Sequence, residues 1–312
     1  MADLARRRQA PAGVVFEMIA AADGWPLRVA SWPALEDSRG TAILVHGRRE
    51  FIEKYYETVA DLQDRGYAVV TMDWRGQGLS GRLLADRQKG HIASFDTFVA
   101  DLKYLVRWVK ANAPGPYLLV AHSMGGHVVL RYLGEQPADI AAAVVVAPMT
   151  GISFGPLPEA VARLLTQTAC GLGFAERYAP AQGPYSPAAR RAEAELLTSD
   201  LDRLEDEIAA CAANPDLALG GITYGWLQAA LCSIDVLRCA GFAEAISTPV
   251  LAITAGRDRV VKNRDTRRFI KRLRQGRLID IPDARHEIFK ERDDQRAWLW
   301  AAFDGFTAKV FK

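Results

Sequence analysis

Several features that define other classes of protein are scarce in this sequence. Its 312 residues include only four cysteines, Cys170, Cys211, Cys232 and Cys239, which form neither a C-x-x-C pair nor a metal-ligand spacing with histidine. The pattern therefore indicates neither a zinc site nor a disulfide framework. We expect the cysteines to be buried small side chains in a reducing compartment.

Long apolar runs and an excess of one charge are also missing. The longest apolar run, residues 140–149, is far too short to cross a bilayer, and no apolar stretch follows the basic N-terminus as in a secretory signal. Lys and Arg number 39 against 37 Asp and Glu, so the near balance gives no argument for a nucleic-acid partner. These absences predict a cytoplasmic protein that is soluble or lies peripherally on the inner membrane face.

Short apolar runs, by contrast, recur at both ends of the chain. Runs bounded by Gly, Pro or Asp are typical of strands buried on both faces of a parallel sheet. Helix-length segments at residues 55–65, 95–112 and 124–135 separate them, which predicts an α/β fold with about eight mostly parallel strands and flanking helices. The predicted strands are residues 14–20, 27–32, 42–45, 68–72, 117–120, 141–147, 250–254 and 278–281.

One region interrupts this alternation. Residues 151–245 contain no convincing strand, only helical and loop-like sequence with several Pro and Gly breaks. An insertion of this length between two strands is expected to form a helical cap over one end of the sheet. We therefore predict a core made of residues 1–150 and 246–312, and a cap at residues 151–245.

A predicted strand, a sharp turn and a predicted helix meet at Ser123. The sequence Ala121-His-Ser-Met-Gly125 fits the nucleophile elbow G-x-S-x-G, with Ala121 in place of the first glycine. Small neighbours are needed because the chain reverses so tightly that the serine takes a strained backbone conformation. Ser123 is thus the predicted nucleophile, and a serine that merely caps the helix is the alternative.

A serine hydroxyl needs a base to take its proton, and five histidines are available. His286 follows the last predicted strand, at the carboxyl edge of the sheet where this architecture needs its base. The other four lie at an earlier strand end, in a loop, beside the serine or inside the next helix. The acid that orients the base should precede it in the chain, and Asp258 is the first carboxylate after the strand at 250–254. Asp235 and Asp265 remain rivals.

The backbone should also supply two N–H donors for the oxyanion of the transition state. One is expected from Met124, directly after the serine, and the second from Arg48 in the loop after an earlier strand. A plain strand-ending turn is the alternative for that loop. Residues 76–81 match G-x-G-x-x-G, but the segment that follows is too short and too broken for a dinucleotide site, so we predict a tight glycine-rich loop there. Acyl transfer through a serine needs no cofactor and no metal, and we expect neither.

Taken together, the segments HGRREF, MDWRGQGLSGR, GHIASF, AHSMGG, AGRDRVV and RHEIF resemble the α/β-hydrolase superfamily. More narrowly they resemble bacterial lysophospholipases, which are relatives of monoacylglycerol lipases. The resemblance runs from about Trp25 to the C-terminus. It implies a triad of Ser123, Asp258 and His286, with oxyanion donors at Arg48 and Met124.

The resemblance implies a serine hydrolase that cleaves carboxylic esters of single-chain lipids through an acyl-enzyme. A monoacylglycerol lipase, a general carboxylesterase or a peptidase on the same triad remain alternatives, as does a ligand-binding protein without turnover. Arg48 and Arg49 occupy a loop that is usually small in monoacylglycerol lipases, which disfavours a neutral monoglyceride.

Two further groups of residues are candidates for contact with the lipid. Within the cap, the candidate acyl pocket consists of Phe154, Leu157, Tyr224 and Trp226, although such residues at helical spacing are also typical of plain core. Residues 264–277 place basic side chains at helical spacing, which would permit peripheral contact with an anionic membrane or form an ordinary solvated face. The oligomeric state is left open.

Overall fold

A single eight-stranded sheet organises the molecule. A computed structural model gives the structure, and it describes residues 2–35, 38–135, 137 and 139–310. The strand order is β1-β2-β4-β3-β5-β6-β7-β8; β2 runs antiparallel to β1 and β4, and every other pair of neighbours is parallel. The predicted α/β architecture is therefore confirmed. The strands are β1 Val15–Ala20, β2 Pro26–Trp32, β3 Thr41–Val45, β4 Ala68–Met72, β5 Tyr117–His122, β6 Ile140–Val146, β7 Val250–Ala255 and β8 Gly276–Ile281.

Helices cover both faces of this sheet. The helices are α1 Ala2–Arg8, α2 Tyr56–Gln63, α3 Phe95–Asn112, α4 Ser123–Leu133, α5 Glu159–Gly171, α6 Pro187–Ala192, α7 Ala194–Leu197, α8 Leu201–Ala213, α9 Tyr224–Arg238, α10 Phe242–Ala245, α11 Asn263–Ile270 and α12 Asp293–Val310. Apolar side chains of α3, α4 and α11 form one core with the sheet, and those of α2 and α12 form the other. Both faces of the sheet are thus removed from water.

The buried strands explain why short apolar runs marked them in the sequence. In β3 every residue is buried, with Ile43 and Val45 in one core and Ala42 and Leu44 in the other. Alternate side chains of a strand point to opposite faces, so a strand covered on both sides must be apolar throughout.

The segment between β6 and β7 stands apart from the sheet. Residues 147–249, all of which the structure describes, carry helices α5 to α10 and isolated bridges but no strand of the sheet. Within this segment, here termed the β6–β7 insertion, α5 packs against α9, and α9 also contacts α3 and α4 of the core. The prediction of helices without strands holds in this region, while the exact cap boundaries stay a prediction.

Two sequence predictions need correction. Only Cys211 is buried; Cys170 on α5 is half-buried, and Cys232 on α9 and Cys239 directly after α9 are exposed. The basic stretch at 264–277 is not one helix, since α11 ends at Ile270 and residue 276 already begins β8, paired with β7. Among the described residues, no helix has the length and apolar character needed to cross a bilayer.

Candidate active site

Ser123 lies at the sharp turn between β5 and α4, at the carboxyl edge of the sheet. Its φ of +49° falls in the left-handed region that non-glycine residues rarely adopt. A Cβ on Gly125 would lie 2.5 Å from the His46 carbonyl oxygen, so that position must remain glycine. Ala121 is an ordinary strand residue paired with Val45 and Val145, which explains why alanine is tolerated there.

The structure brings Ser123, His286 and Asp258 together in one hydrogen-bonded chain. The His286 Nε2 atom lies 2.8 Å from Ser123 Oγ, and its Nδ1 atom lies 2.8 Å from Asp258 Oδ2. A neutral ring that donates from Nδ1 to the carboxylate leaves Nε2 free to accept the serine proton. The arrangement can therefore activate the Ser123 hydroxyl as a nucleophile.

Asp258 is fixed by its backbone surroundings as well as by the histidine. Its Oδ1 atom accepts hydrogen bonds from the N–H groups of Val260 at 2.8 Å and Val261 at 2.9 Å. Burial raises the pKa of this carboxyl, but His286 and the two N–H groups outweigh burial and hold the pKa below its ordinary value. Asp258 stays ionised and so keeps His286 in the required tautomer.

The two rival carboxylates lie elsewhere. Asp235 on α9 forms an ion pair with Arg163 at 2.8 Å, and Asp265 on α11 accepts from Arg238 at 3.1 Å. Neither contacts His286 among the hydrogen bonds of the described residues.

The two residues predicted as oxyanion donors, Arg48 and Met124, have backbone N–H groups without an acceptor among the described residues. Met124 is the second residue of α4, so its N–H has no acceptor within the helix. The Arg48 N–H makes no hydrogen bond to any described residue. A Cβ on Gly47 would lie 3.2 Å from the Cβ of Ser123, which shows how closely this loop approaches the serine.

A cavity of about 490 Å³ opens onto Ser123 and His286. All four residues predicted for the acyl pocket line it, namely Phe154, Leu157, Tyr224 and Trp226. Trp226 is also a core residue, because its ring packs edge-on against Phe95 at 5.4 Å.

A buried ion cluster, Glu50, Lys54, Arg190, Glu207 and Glu287, lies directly behind His286. The Lys54 ammonium contacts Glu50 at 3.0 Å and Glu207 and Glu287 at 2.8 Å each. Arg190 binds both carboxylate oxygens of Glu207 at 2.7 Å and one oxygen of Glu287 at 2.7 Å. The cluster ties helices α6 and α8 of the β6–β7 insertion to the loop that carries His286.

His122 connects this cluster to the triad. Its Nδ1 atom lies 3.1 Å from Glu50, and its Nε2 atom lies 3.1 Å from the backbone oxygen of His286. Both partners are acceptors, so the geometry favours a doubly protonated ring. Burial lowers the pKa of His122, but the Glu50 carboxylate outweighs burial and raises it above its ordinary value.

None of Glu50, Lys54, Arg190 and Glu207 was predicted from the sequence as part of the site, although Glu50 stands in the segment HGRREF. Apart from Glu50 and Lys54, which are four residues apart, the partners lie at least 17 residues from each other in the chain. Charged side chains in loops and helices are also normally solvated. Glu50 and Glu287 stand in two of the segments that carry the resemblance, HGRREF and RHEIF, but neither segment indicates an ion cluster.

The glycine-rich stretch at 76–81 forms a tight loop, as predicted. A Cβ on Gly78, at φ +50°, would lie 2.1 Å from Asp73 Cγ. The Asp73 carboxylate accepts hydrogen bonds from the N–H groups of Ile52 at 2.9 Å and Leu79 at 2.8 Å. The glycine thus makes room for the carboxylate that holds this loop. Within the described part of the chain, no cluster of His, Cys, Asp or Glu side chains could hold a metal ion.

This sheet, with a serine, a histidine and an aspartate brought together at its carboxyl edge, is the architecture of an α/β-hydrolase. A soluble variant of monoglyceride lipase from Saccharomyces cerevisiae shares the fold at a TM-score of 0.73, with 18% identity over 95% of this chain and 94% of that one. The chain belongs to the family described as serine aminopeptidase, S33, whose model matches residues 36–293.

Curated relatives extend over most of the chain. Lysophospholipase L2 of Escherichia coli is 33% identical over 88% of this chain and 82% of its own length. Monoacylglycerol lipase of Mycolicibacterium smegmatis is 26% identical over 86% of this chain and 90% of its own length. The predicted superfamily and the prediction of an ester hydrolase are confirmed.

Proposed function

We propose that this protein is a lysophospholipase, which hydrolyses the one acyl ester of a single-chain phospholipid. The observation that carries the proposal is the chain of two 2.8 Å contacts from Ser123 through His286 to Asp258, at the wall of a largely apolar-lined cavity. The similarity to lysophospholipase L2 over most of both chains supports the choice of substrate.

In the proposed reaction Ser123 Oγ attacks the ester carbonyl while His286 Nε2 takes its proton. The N–H groups of Arg48 and Met124 stabilise the oxyanion, and Asp258 stabilises the imidazolium. The C–O bond to the alcohol then breaks, and His286 returns the proton to the leaving oxygen. Water repeats both steps on the acyl-enzyme, which releases the fatty acid and regenerates the serine.

The acyl chain is proposed to lie in the β6–β7 insertion, with residues 151–245 acting as the cap. Phe154, Leu157, Tyr224 and Trp226 supply apolar walls to the cavity. Leu157 is 41% exposed and Leu165 on α5 is 51% exposed, and both also line the cavity. An apolar entrance of this kind suits a substrate that arrives from a lipid aggregate.

Peripheral contact with an anionic membrane is proposed to be purely electrostatic. Phe269, Ile270 and Leu273 are all buried in the core, so the apolar side of the basic stretch cannot insert into lipid. Arg268, Lys271 and Arg274 are exposed. Each would contribute roughly 1 kcal/mol close to anionic lipid, and salt would screen that attraction.

Vesicle co-sedimentation tests this contact. Binding should increase with anionic-lipid content, weaken at physiological salt, and fall when Arg268, Lys271 and Arg274 are all changed to Gln. The matched control changes three exposed basic residues of α3, Lys103, Arg107 and Lys110, to Gln. If the two triple variants lost vesicle binding equally, the basic residues at 268–274 would be an ordinary solvated face and not a membrane-contact surface.

A hydrolysis panel tests the substrate class. With one acyl chain throughout, the panel compares a lysophospholipid, a monoacylglycerol, a p-nitrophenyl ester and an aminoacyl amide. The proposal expects the highest kcat/KM on the lysophospholipid and little activity on the amide. Preference for the monoacylglycerol would favour a lipase, preference for the amide a peptidase, and no turnover a ligand-binding protein.

A further inference from the structure

The side chain of Arg48 lies in the active-site cavity without a carboxylate partner. One of its terminal nitrogens donates to the Gly220 carbonyl at 3.3 Å, and its guanidinium lies 5.8 Å from the centre of the Trp226 ring. No carboxylate of the described residues is within ion-pair distance of it. This cation therefore lines the same cavity as Ser123 and His286.

The neighbouring charges are already committed to each other. Arg49 pairs with Glu193, Arg190 binds Glu207, and Glu50 binds Lys54. Lys54 and Arg190 are shared with Glu287 as well, so these pairs leave no carboxylate for Arg48. Arg259, which is exposed at the edge of the cavity, also forms no ion pair among the described residues. Burial, and then repulsion from Arg49, lower the pKa of Arg48 to about 9. The guanidinium remains charged at neutral pH, and a bound anion would stabilise it.

The one hydrogen bond of the Arg48 side chain ties it to a packed loop. Its acceptor Gly220 is locked in a packed loop, where its N–H donates to the Gln88 carbonyl at 2.8 Å. A Cβ on Gly220 would lie 2.6 Å from the Gly183 carbonyl oxygen, so the loop tolerates no side chain there. A guanidinium has five N–H donors, so four remain for a ligand.

We propose that Arg48 is a specificity residue that binds the phosphate of the leaving headgroup. Planar guanidinium groups bind phosphate through two parallel hydrogen bonds, and a cation beside a bare acyl chain would gain nothing for its desolvation. The inference rests on the proposed lysophospholipase function. It adds the group that distinguishes a phospholipid from a monoacylglycerol, which carries the same ester without the phosphate.

The direct test is a ratio of rates. The kcat/KM on a lysophospholipid is divided by that on the monoacylglycerol of the same acyl chain, so changes in the shared ester chemistry cancel. Arg48→Gln should lower this ratio roughly tenfold to a hundredfold, the size of a lost hydrogen bond to a charged group. Arg48→Lys should restore part of it, and the control Arg49→Gln should change it far less.

Thermal melting gives an independent readout without turnover. Glycerol 3-phosphate should raise the Tm of the wild type but not that of Arg48→Gln, and glycerol should raise neither. Arg48→Gln alone should melt no lower than the wild type, because it removes an unpaired charge from the cavity.

The outcomes separate the inference from the proposed function. An unchanged ratio in Arg48→Gln, with the wild type still preferring lysophospholipid, would overturn the role of Arg48 and leave the function standing. A wild type without that preference would contradict the function. The glycerol 3-phosphate measurement would then decide on Arg48 alone, since equal stabilisation of both proteins would overturn it.

Discussion

Ser123 and Gly125 are positions where a single residue type meets a geometric demand. The serine carries φ +49°, and the glycine leaves room for a carbonyl that a Cβ would approach to 2.5 Å. Demands of this kind restrict the residue types at neighbouring positions, so the motif around Ser123 predicted the turn. His122 stands in the same motif, but the motif does not indicate its role, because its partners Glu50 and His286 lie 72 and 164 residues away.

Asp258→Asn should lower kcat by orders of magnitude while KM changes little. The amide can still accept from the Val260 and Val261 N–H groups, but it would offer an N–H to His286 Nδ1. The ring would then carry its proton on Nε2, facing Ser123, and could not accept the serine proton. Steady-state kinetics on a short ester check this prediction.

Asp235→Asn is the matched control, and it should stay near wild type. An inactive Asp235→Asn or Asp265→Asn beside a nearly wild-type Asp258→Asn would refute the assignment of the acid.

At the scale of elements, the buried ion cluster joins the β6–β7 insertion to the loop that carries His286. Arg190 on α6 and Glu207 on α8 meet Lys54 and Glu287 from the core, and all four are almost fully buried. These ion pairs join segments that are distant in the sequence. The sequence pattern therefore predicted that the insertion is helical, but it did not predict how its helices pack on the core.

Arg190→Ala should destabilise the fold by about 3–5 kcal/mol, because it leaves Glu207 and Glu287 buried with less positive charge. Activity should fall as well, since Glu287 adjoins His286. Chemical denaturation and kinetics measure the two effects. The neighbouring Arg191→Ala is the control, since Arg191 pairs with Glu205 in solvent and should have no measurable effect. Equal stability of the two variants would argue against an anchoring role for the cluster.

Trp226→Ala should change two properties together. Its ring lines the cavity, so the preference for acyl chain length should shift more than the rate on a short ester. Because the side chain is buried and packs against Phe95, its removal should also cost about 3–5 kcal/mol of stability. Leu157→Ala, at a more exposed wall, should shift chain-length preference without that loss. Equal rate losses at every chain length would indicate that Trp226 is core alone.

For the molecule as a whole, the sheet was the part of the fold that the sequence predicted best. Strands buried on both faces must be apolar, and all eight predicted strands coincide with observed ones within a few residues. The end of α11 could not be predicted from the sequence, because basic residues continue at helical spacing beyond Ile270. In the structure, the chain must already be a strand at Gly276 in order to pair with β7. Sheet pairing there overrides the helical spacing of the side chains.

Acid should unfold the protein through its buried carboxylates. Burial raises the pKa of Glu57 and Glu287, but ion pairing with Arg203 and Lys54 respectively outweighs burial and lowers each pKa to about 2. Because the folded pKa lies below the unfolded one, their stabilisation is full above about pH 4.5 and is lost as the pH falls toward 2. Melting temperature against pH checks this window. Glu57→Gln should show a shallower fall, and an identical fall would contradict the role of Glu57.

The account depends most on Ser123 as the nucleophile of an ester hydrolase. The most direct measurement is labelling with a fluorophosphonate, followed by peptide mass spectrometry of the adduct. We predict one adduct, on Ser123, that is absent from Ser123→Ala, together with a loss of ester hydrolysis on the order of ten thousandfold or more in that variant. An adduct on another residue, or a Ser123→Ala protein that keeps a tenth of the wild-type rate, would contradict the account.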